Sequence, residues 1–399
     1  MKILLLCDAA MNPDAGGINQ TLYNLFSFVQ PENILCVTPV SELKMVMPSE
    51  PFAQRYVTFR FDLISLTHNR LSKYINPIIN WFNFSYNNKF RSFKKLKRQI
   101  AIFKPDIIIS CPNGPVGVFM HNKLLQGFKK VIPYFMDDWM CQTKRTWLGG
   151  NLSQLVKHVL SNNSWLMISH ELCNILCERY KVTPGRLLIA QNPVDLSNAP
   201  DNIPTLNKKG YTLAYAGALW PMHFDSFKLV AESVFQLKKK LDINLILYSR
   251  EQFWEWRRSE LSCLGVVYGG NIPYKSIHEK LAQADALILT SSFLEQFSSH
   301  TKGSVQTKIT DYLKAKRLII SCGPDYSANN NFLKKNDCGV CIETNDVSLA
   351  TKRLEEILKD IHLYQPAITN GWNLLENEYT FSKVHQKLQE FLLQEITSC

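Results

Sequence analysis

Short apolar runs alternate with amphipathic stretches along the whole chain. Ile3–Cys7, Ile34–Val37, Ile107–Cys111, Val131–Phe135 and Trp165–Ile168 are too short for helices and too uniformly apolar for strands with one wet face. They predict parallel strands buried on both sides. A second series begins at Tyr211–Gly217 and continues through Asn244–Tyr248, Val266–Tyr268, Ala286–Thr290, Leu318–Ser321 and Val340–Glu343. Helical periodicity falls between strands, over Gln20–Phe28, Phe227–Lys239, Tyr274–Ala284, Thr307–Ala315 and Ser348–Lys359. This alternation predicts βα units and parallel sheets. A polar stretch rich in Asn, Pro and Asp, opened by Asn192-Pro193-Val194-Asp195 and closed at Gly210, separates the two series. The pattern is therefore α/β, with two doubly wound domains over 1–200 and 208–375. A last helix, Phe381–Ile396, is long enough to pack back on the first domain. Doubly wound sheets bind ligands at the carboxyl ends of their strands, so two in one chain predict a cleft between domains.

Composition sharpens this picture in three places. The chain has 399 residues, 46% hydrophobic and 20% charged, which is globular and too long for one ordinary core. No apolar run reaches the roughly 18 residues that span a bilayer. The apolar start is halted at Asp8 with no small-residue cleavage site after it, so a buried first strand fits better than a leader. The 11 cysteines are scattered singly. Cys338 and Cys341 lack a second pair to complete a metal site, and a reducing, cytoplasmic compartment is expected.

Charge is uneven. The net charge is +11, and no acidic residue lies between Asp62 and Asp106, a stretch that holds Lys94, Lys95, Lys97 and Arg98 among nine basic residues. Aromatic residues from Tyr74 to Phe103 are interleaved with them. Cations and aromatics at helical spacing suit an anionic membrane surface; an amphipathic helix with an ordinary core face has the same composition. No nucleic-acid-binding motif accompanies the charge, so nucleic acid is not an expected partner.

Three segments carry candidate chemistry. Gly16 and Gly17 follow the first strand and open a helix, where backbone amides can approach an anion; a tight strand-to-helix turn needs the same glycines. Asp137 and Asp138 follow the fourth of these strands, where one carboxylate can orient a hydroxyl while the other braces a loop or caps a helix. On a helix starting near Ser304, Lys308 and Asp311 share a face: Lys308, Thr307 and the helix terminus suit a diphosphate, and Asp311 a ribose diol. Taken alone, that pair also reads as an exposed ion pair.

Ile168-Ser169-His170-Glu171-Leu172, Tyr180-Lys181-Val182, Arg186 and Gln191-Asn192-Pro193-Val194-Asp195 resemble the end of the N-terminal domain in GT-B glycosyltransferases of the family-4 type. Ala214-Tyr215-Ala216-Gly217 resembles the first strand of their nucleotide-binding domain. Gly269–Tyr274 with Leu281–Ala286 resembles a further stretch of it, and Thr307–Leu313 a variant of their donor-binding helix. The order and spacing of these matches along nearly the whole chain carry the resemblance.

The resemblance implies a GT-B fold, with two Rossmann-like domains facing across a cleft. It implies a retaining transfer of a sugar from a nucleotide-sugar donor to a glycan or lipid-linked acceptor in surface-polysaccharide biosynthesis, peripheral on the inner membrane face. Gly16, Gly17, Gly217 and Tyr274 then lie near the donor and Asp311 on its ribose. The leaving diphosphate takes the acceptor proton, so Asp137 and Asp138 orient sugar or acceptor. No cofactor and no metal are expected. The chain departs from the family twice. Gly303 stands where the first Glu of the carboxylate pair is expected, and the family's Arg and Lys are absent from Gly217–His223. Lys308, or more distantly Lys228, then supplies the missing cation, and Glu295 or His300 the missing sugar contact. A sugar-nucleotide epimerase and a non-catalytic docking protein of the same fold are the alternatives.

Overall fold

Ile3–Cys7, here β1, is nowhere more than 2% exposed, a burial that only an interior strand covered on both faces reaches. The structure is a computed structural model that describes residues 1–12, 17–39, 56–59, 91–125, 127–142, 149–206 and 210–397. It divides into two units, Met1–Ala190 with His385–Cys399, and Gln191–Val384.

In the first unit β1 is followed by β2 (Ile34–Pro39), β3 (Tyr56–Phe59), β4 (Ile107–Cys111), β5 (Val131–Phe135), β6 (Ser164–Met167) and β7 (Arg186–Ile189). They form one sheet in the order β3-β2-β1-β4-β5-β6-β7. All pairings are parallel, with Ile3 opposite both Ile34 and Ile107. The second unit contains β8 (Tyr211–Ala216), β9 (Ile243–Tyr248), β10 (Val267–Gly270), β11 (Ala286–Thr290), β12 (Leu318–Cys322) and β13 (Val340–Ile342), in the order β10-β9-β8-β11-β12-β13. Each sheet therefore reverses direction beside its first strand, between β1 and β4 and between β8 and β11. Crevices at such reversals are where doubly wound sheets hold ligands.

Packing of the second sheet follows the strand period of two. Ala286 and Ile288 of β11 join Leu318 and Ile320 of β12 in the core on one face, while Leu287 and Leu289 join Ile319 in the core on the other. Helices cover both faces, as the uniformly apolar runs predict. The strands β3 and β7 are absent from the sequence reading: the side chains of β7 are only half-buried, so its pattern is not a uniform apolar run.

The stretch after Ala190 is packed rather than free. Lys316 donates to the Asp201 carbonyl (3.0 Å), and Arg317 to the carbonyls of Pro204 (3.0 Å) and Thr205 (3.3 Å). From His385 onward the last helix, Phe381–Thr397, belongs to the first unit. There Glu395 accepts from Ser164 (2.5 Å) and Arg186 (2.9 Å), and the Arg186 guanidinium lies 4.7 Å from the Phe391 ring centroid.

The basic helix is Arg91–Phe103. Leu96, Ile100 and Phe103 are buried against β1, β2 and β4, so this apolar face is core. Lys97 and Arg98 point to solvent. The side chains of Lys94 and Lys95 and the aromatic run Tyr74–Phe90 lie outside the described residues. Among those described, no helix is long and apolar enough to cross a membrane.

Candidate functional site

At the carboxyl end of β8, beside the reversal between β8 and β11, two of the residues singled out from the sequence come together, Gly217 and Lys308. β8 ends at Ala216, whose amide donates to the buried Tyr312 hydroxyl (2.8 Å). That bond fixes the strand end over the helix Ile309–Lys314. The next residue, Gly217, has φ +123°, a backbone state that glycine tolerates far better than other residues. A Cβ there would lie 3.2 Å from Lys308 Nζ. Lys308 thus lies against the turn, its ammonium 3.7 Å from the Tyr215 ring centroid. Nζ is buried with no hydrogen-bond partner among the described residues. Burial without a countercharge pushes its pKa down to about 7.

The helix expected to begin near Ser304 begins at Ile309. Ser304 is extended at the end of a separate short helix, Ser298–Gly303. The Gln306 amide donates sideways to Asn329 Oδ1 (3.0 Å) instead of up a helix. Thr307 therefore sits in the turn before the helix, its carbonyl accepting from Thr310 Oγ1 (3.2 Å). This placement corrects the reading of Thr307 as a helix terminus.

Asp311, inside the short helix, reaches a different set of neighbours from Lys308. The Tyr274 hydroxyl donates to its Oδ1 (2.7 Å), and His278 Nε2 lies 3.7 Å from the same oxygen. Burial pushes the Asp311 carboxyl up to about 7, against the opposing pull of Tyr274 and Lys314. Burial also takes His278 down to about 4, so its neutral ring offers no countercharge.

Beside Lys308 the carboxyl end of the sheet is polar and buried. Thr290, Ser291, Ser292 and Ser321 are each at most 5% exposed. Gln306 Nε2 donates to the Thr290 carbonyl and lies 3.2 Å from His223 Nδ1, which is itself 3.1 Å from that carbonyl. The His223 ring is 6.3 Å from that of His300. Burial, with Lys308 and His300 nearby, holds the His223 imidazole well below its usual range. Gly303 is buried, and Glu295 lies on the exposed turn Glu295–Phe297. Lys228 is committed elsewhere, 2.7 Å from Glu260. Sequence reasoning missed Tyr215, Tyr312, His223, His278, Gln306 and Asn329. Each is a polar group or ring whose role depends on what the fold puts beside it.

In the first unit, Gly17 opens the helix Gly17–Phe26 with φ +59°, a left-handed state suited to glycine; Gly16 lies outside the described residues. The neighbouring crevice between β1 and β4 contains a carboxylate that the sequence reading used only as the end of an apolar run. Asp8 accepts from the amides of Asn113 (2.6 Å) and Gly117 (3.2 Å) at the start of the helix Pro115–Leu124. A Cβ at Gly117 would come within 2.9 Å of that carboxylate.

Past β5, Asp137 is half-buried and Asp138 fully buried. Arg179 grips Asp138 with two parallel bonds (2.7 and 2.6 Å), so Asp138 ties the helix His170–Tyr180 to the loop after β5. Removing the guanidinium would take its two-bond partner from a buried carboxylate. Arg179→Met is expected to lower stability by about 2–3 kcal/mol, or roughly 5–10 °C in melting temperature. Arg179→Met combined with Asp138→Asn should recover part of the loss. An unchanged melting temperature for the single variant would show that the pair contributes nothing.

No family model matches this chain, and no curated protein matches it. Solved structures do. The Anabaena protein HepE in complex with UDP aligns over 99% of this chain and 100% of its own, at TM-score 0.69 and 11% identity. Sucrose-phosphate synthase from Thermosynechococcus elongatus aligns over 100% of both chains, at TM-score 0.68 and 13% identity. The lipopolysaccharide outer core galactosyltransferase WaaB, in its apo form, covers 99% of this chain and 100% of its own, at TM-score 0.58 and 14% identity. At these identities the likeness establishes the fold, and that fold is GT-B.

Proposed function

We propose that the chain is a glycosyltransferase that takes its sugar from a nucleotide diphosphate sugar bound at the carboxyl end of the second sheet. The observation that carries this reading is the buried Lys308 ammonium beside the Gly217 turn, without a hydrogen-bond partner among the described residues. A buried cation without a partner is costly unless a ligand completes it, and a diphosphate supplies the missing charge. Gly217, lacking a side chain, leaves room for the same anion beside Lys308, its own amide being taken by the Tyr248 carbonyl (2.9 Å). Asp311, presented by Tyr274, is suited to the two ribose hydroxyls. HepE was solved with UDP and with UDP-glucose, which supports uridine as the nucleoside of the donor.

The acceptor in this reading is a glycan or lipid-linked glycan of polysaccharide assembly, bound by the first unit, with Asp137 orienting its hydroxyl. We take the transfer to be retaining, with the leaving diphosphate receiving the acceptor proton. The protein then supplies position and charge stabilisation rather than a base. Asp8 and Asp138 are already held by amides and by Arg179.

The test is thermal shift against UDP-glucose, GDP-mannose, dTDP-glucose and a CMP-sugar. At about 100 times Kd the uridine donor should add ~2.7 kcal/mol, roughly 5–10 °C for units of this size, and Asp311→Ala should abolish the response. If no sugar nucleotide stabilises the wild type, or the variant responds equally, the assignment is wrong.

A further inference from the structure

Among the buried polar atoms at the end of the second sheet that lack partners among the described residues, two have opposite and fixed hydrogen-bonding characters, whereas the Thr290 and Ser321 hydroxyls beside them can donate or accept. Lys308 Nζ can only donate, and Gln306 Oε1 can only accept. They stand two positions apart in sequence, on either side of Thr307, on the turn that leads into Ile309–Lys314. A phosphate oxygen satisfies Lys308 but repels Gln306 Oε1, and a hydroxyl hydrogen does the reverse. A ligand carrying both an anion and a hydroxyl satisfies the pair.

Gln306 is fixed well enough to discriminate. Its backbone amide donates to Asn329 Oδ1 (3.0 Å), and Asn329 is in turn anchored through Nδ2 to Ser291 Oγ (2.9 Å). Its side-chain nitrogen donates to the Thr290 carbonyl and lies 3.2 Å from His223 Nδ1. Turning the amide over would set Oε1 against that carbonyl, two acceptors facing each other, so the orientation is locked. Gly303, where the family resemblance calls for a carboxylate, offers no side chain for this contact.

We propose that Gln306 is the residue that reads the transferred sugar, its Oε1 accepting a hydrogen from a hydroxyl of the sugar whose diphosphate lies on Lys308. This rests on the donor reading of the same site. A neutral amide suits the role beside a diphosphate, because a carboxylate there would be repelled by the phosphates. It also makes recognition asymmetric. A site with a buried acceptor rejects a ligand lacking the matching hydroxyl, because the acceptor is then left unsatisfied.

The experiment is calorimetric titration of wild type and Gln306→Met with UDP and with UDP-glucose. Methionine keeps length and apolar bulk while removing the acceptor. UDP affinity should stay within about twofold, and UDP-glucose affinity should fall about tenfold, as for one lost hydrogen bond to a buried acceptor. An equal fall for both ligands, or none for UDP-glucose, overturns the assignment. A second measurement needs no variant: among monodeoxy analogues of UDP-glucose, one should bind wild type about tenfold more weakly, and if all bind like UDP-glucose the inference fails. Wild type that binds neither UDP nor UDP-glucose would instead sink the donor reading beneath it.

Discussion

Replacing Lys308 with methionine is expected to raise the melting temperature of the ligand-free protein and, in the same step, to weaken sharply its affinity for a sugar nucleotide. The first effect follows from burial. An ammonium enclosed without a hydrogen-bond partner among the described residues carries a desolvation cost that its contact with the Tyr215 ring, 3.7 Å away, offsets by about 0.5–2 kcal/mol. Methionine keeps the apolar contact and removes the charge. The second follows from the loss of the buried countercharge to the diphosphate. Truncating one partner of such a pair costs ~2–5 kcal/mol, so donor affinity should fall about 100-fold or more. Differential scanning fluorimetry and titration with UDP-glucose read the two effects separately. A lower melting temperature with unchanged affinity would make Lys308 a structural prop and end its role in donor binding.

The stability gain should also depend on pH in a set direction. The Lys308 pKa in the folded chain is about 7, below the value of ~10.4 expected when unfolded. Between those values the unfolded chain binds more protons, so stability rises with pH across that window. The cost of the buried charge is therefore fully present below pH 7 and gone above about 10.4. Methionine should stabilise most at or below neutrality and least in alkali.

Donor affinity of the wild type is expected to be bell-shaped in pH, highest near neutrality. The diphosphate needs Lys308 charged, and that charge is lost as pH rises through about 7. The ribose hydroxyls need Asp311 ionised, and its carboxyl, lifted by burial, is protonated as pH falls through about 7. A sugar nucleotide has no phosphate monoester to titrate in this range, so both limbs belong to the protein. Each limb should approach a tenfold loss per pH unit. Asp311→Asn should flatten the acid limb and leave the alkaline one; Lys308→Met should do the opposite. A flat profile in wild type, or a variant that flattens the wrong limb, would remove one or both residues from the site. The stability signs are also opposed: the Asp311 penalty appears as pH rises through the window between its ordinary value and 7, where the Lys308 penalty begins to fade.

The sequence made the architecture legible because buried parallel strands leave a record in composition. Ile3–Cys7, Ala286–Thr290 and Leu318–Cys322 have core on both faces and are apolar almost throughout. The half-buried β7 left no such record. The site was legible only where glycine or charge marked it. Gly17 and Gly217 hold backbone states that favour glycine, and Lys308 and Asp311 are conspicuous as charges in an apolar stretch. Their partners were not. Tyr274 meets Asp311 across 37 positions, and Tyr312 meets Ala216 across 96; no local pattern encodes such distances. The basic helix shows the limit from the other side: its composition allowed a membrane face, and packing put Leu96, Ile100 and Phe103 into the core.

The sequence by itself thus determined two doubly wound α/β units and marked two charged residues, because hydrophobic period and isolated charge are local properties. Only the tertiary structure decided that Ser304 is extended and the helix begins at Ile309, that Arg179 claims Asp138, and that Lys308 is buried beside Gly217 while Asp311 faces Tyr274. The Arg179–Asp138 pair depends on what packs beside the end of β5 in the first unit, and the others on which strand ends meet at the β8–β11 crevice of the second. Burial there turns two ordinary charges into groups that titrate near neutrality.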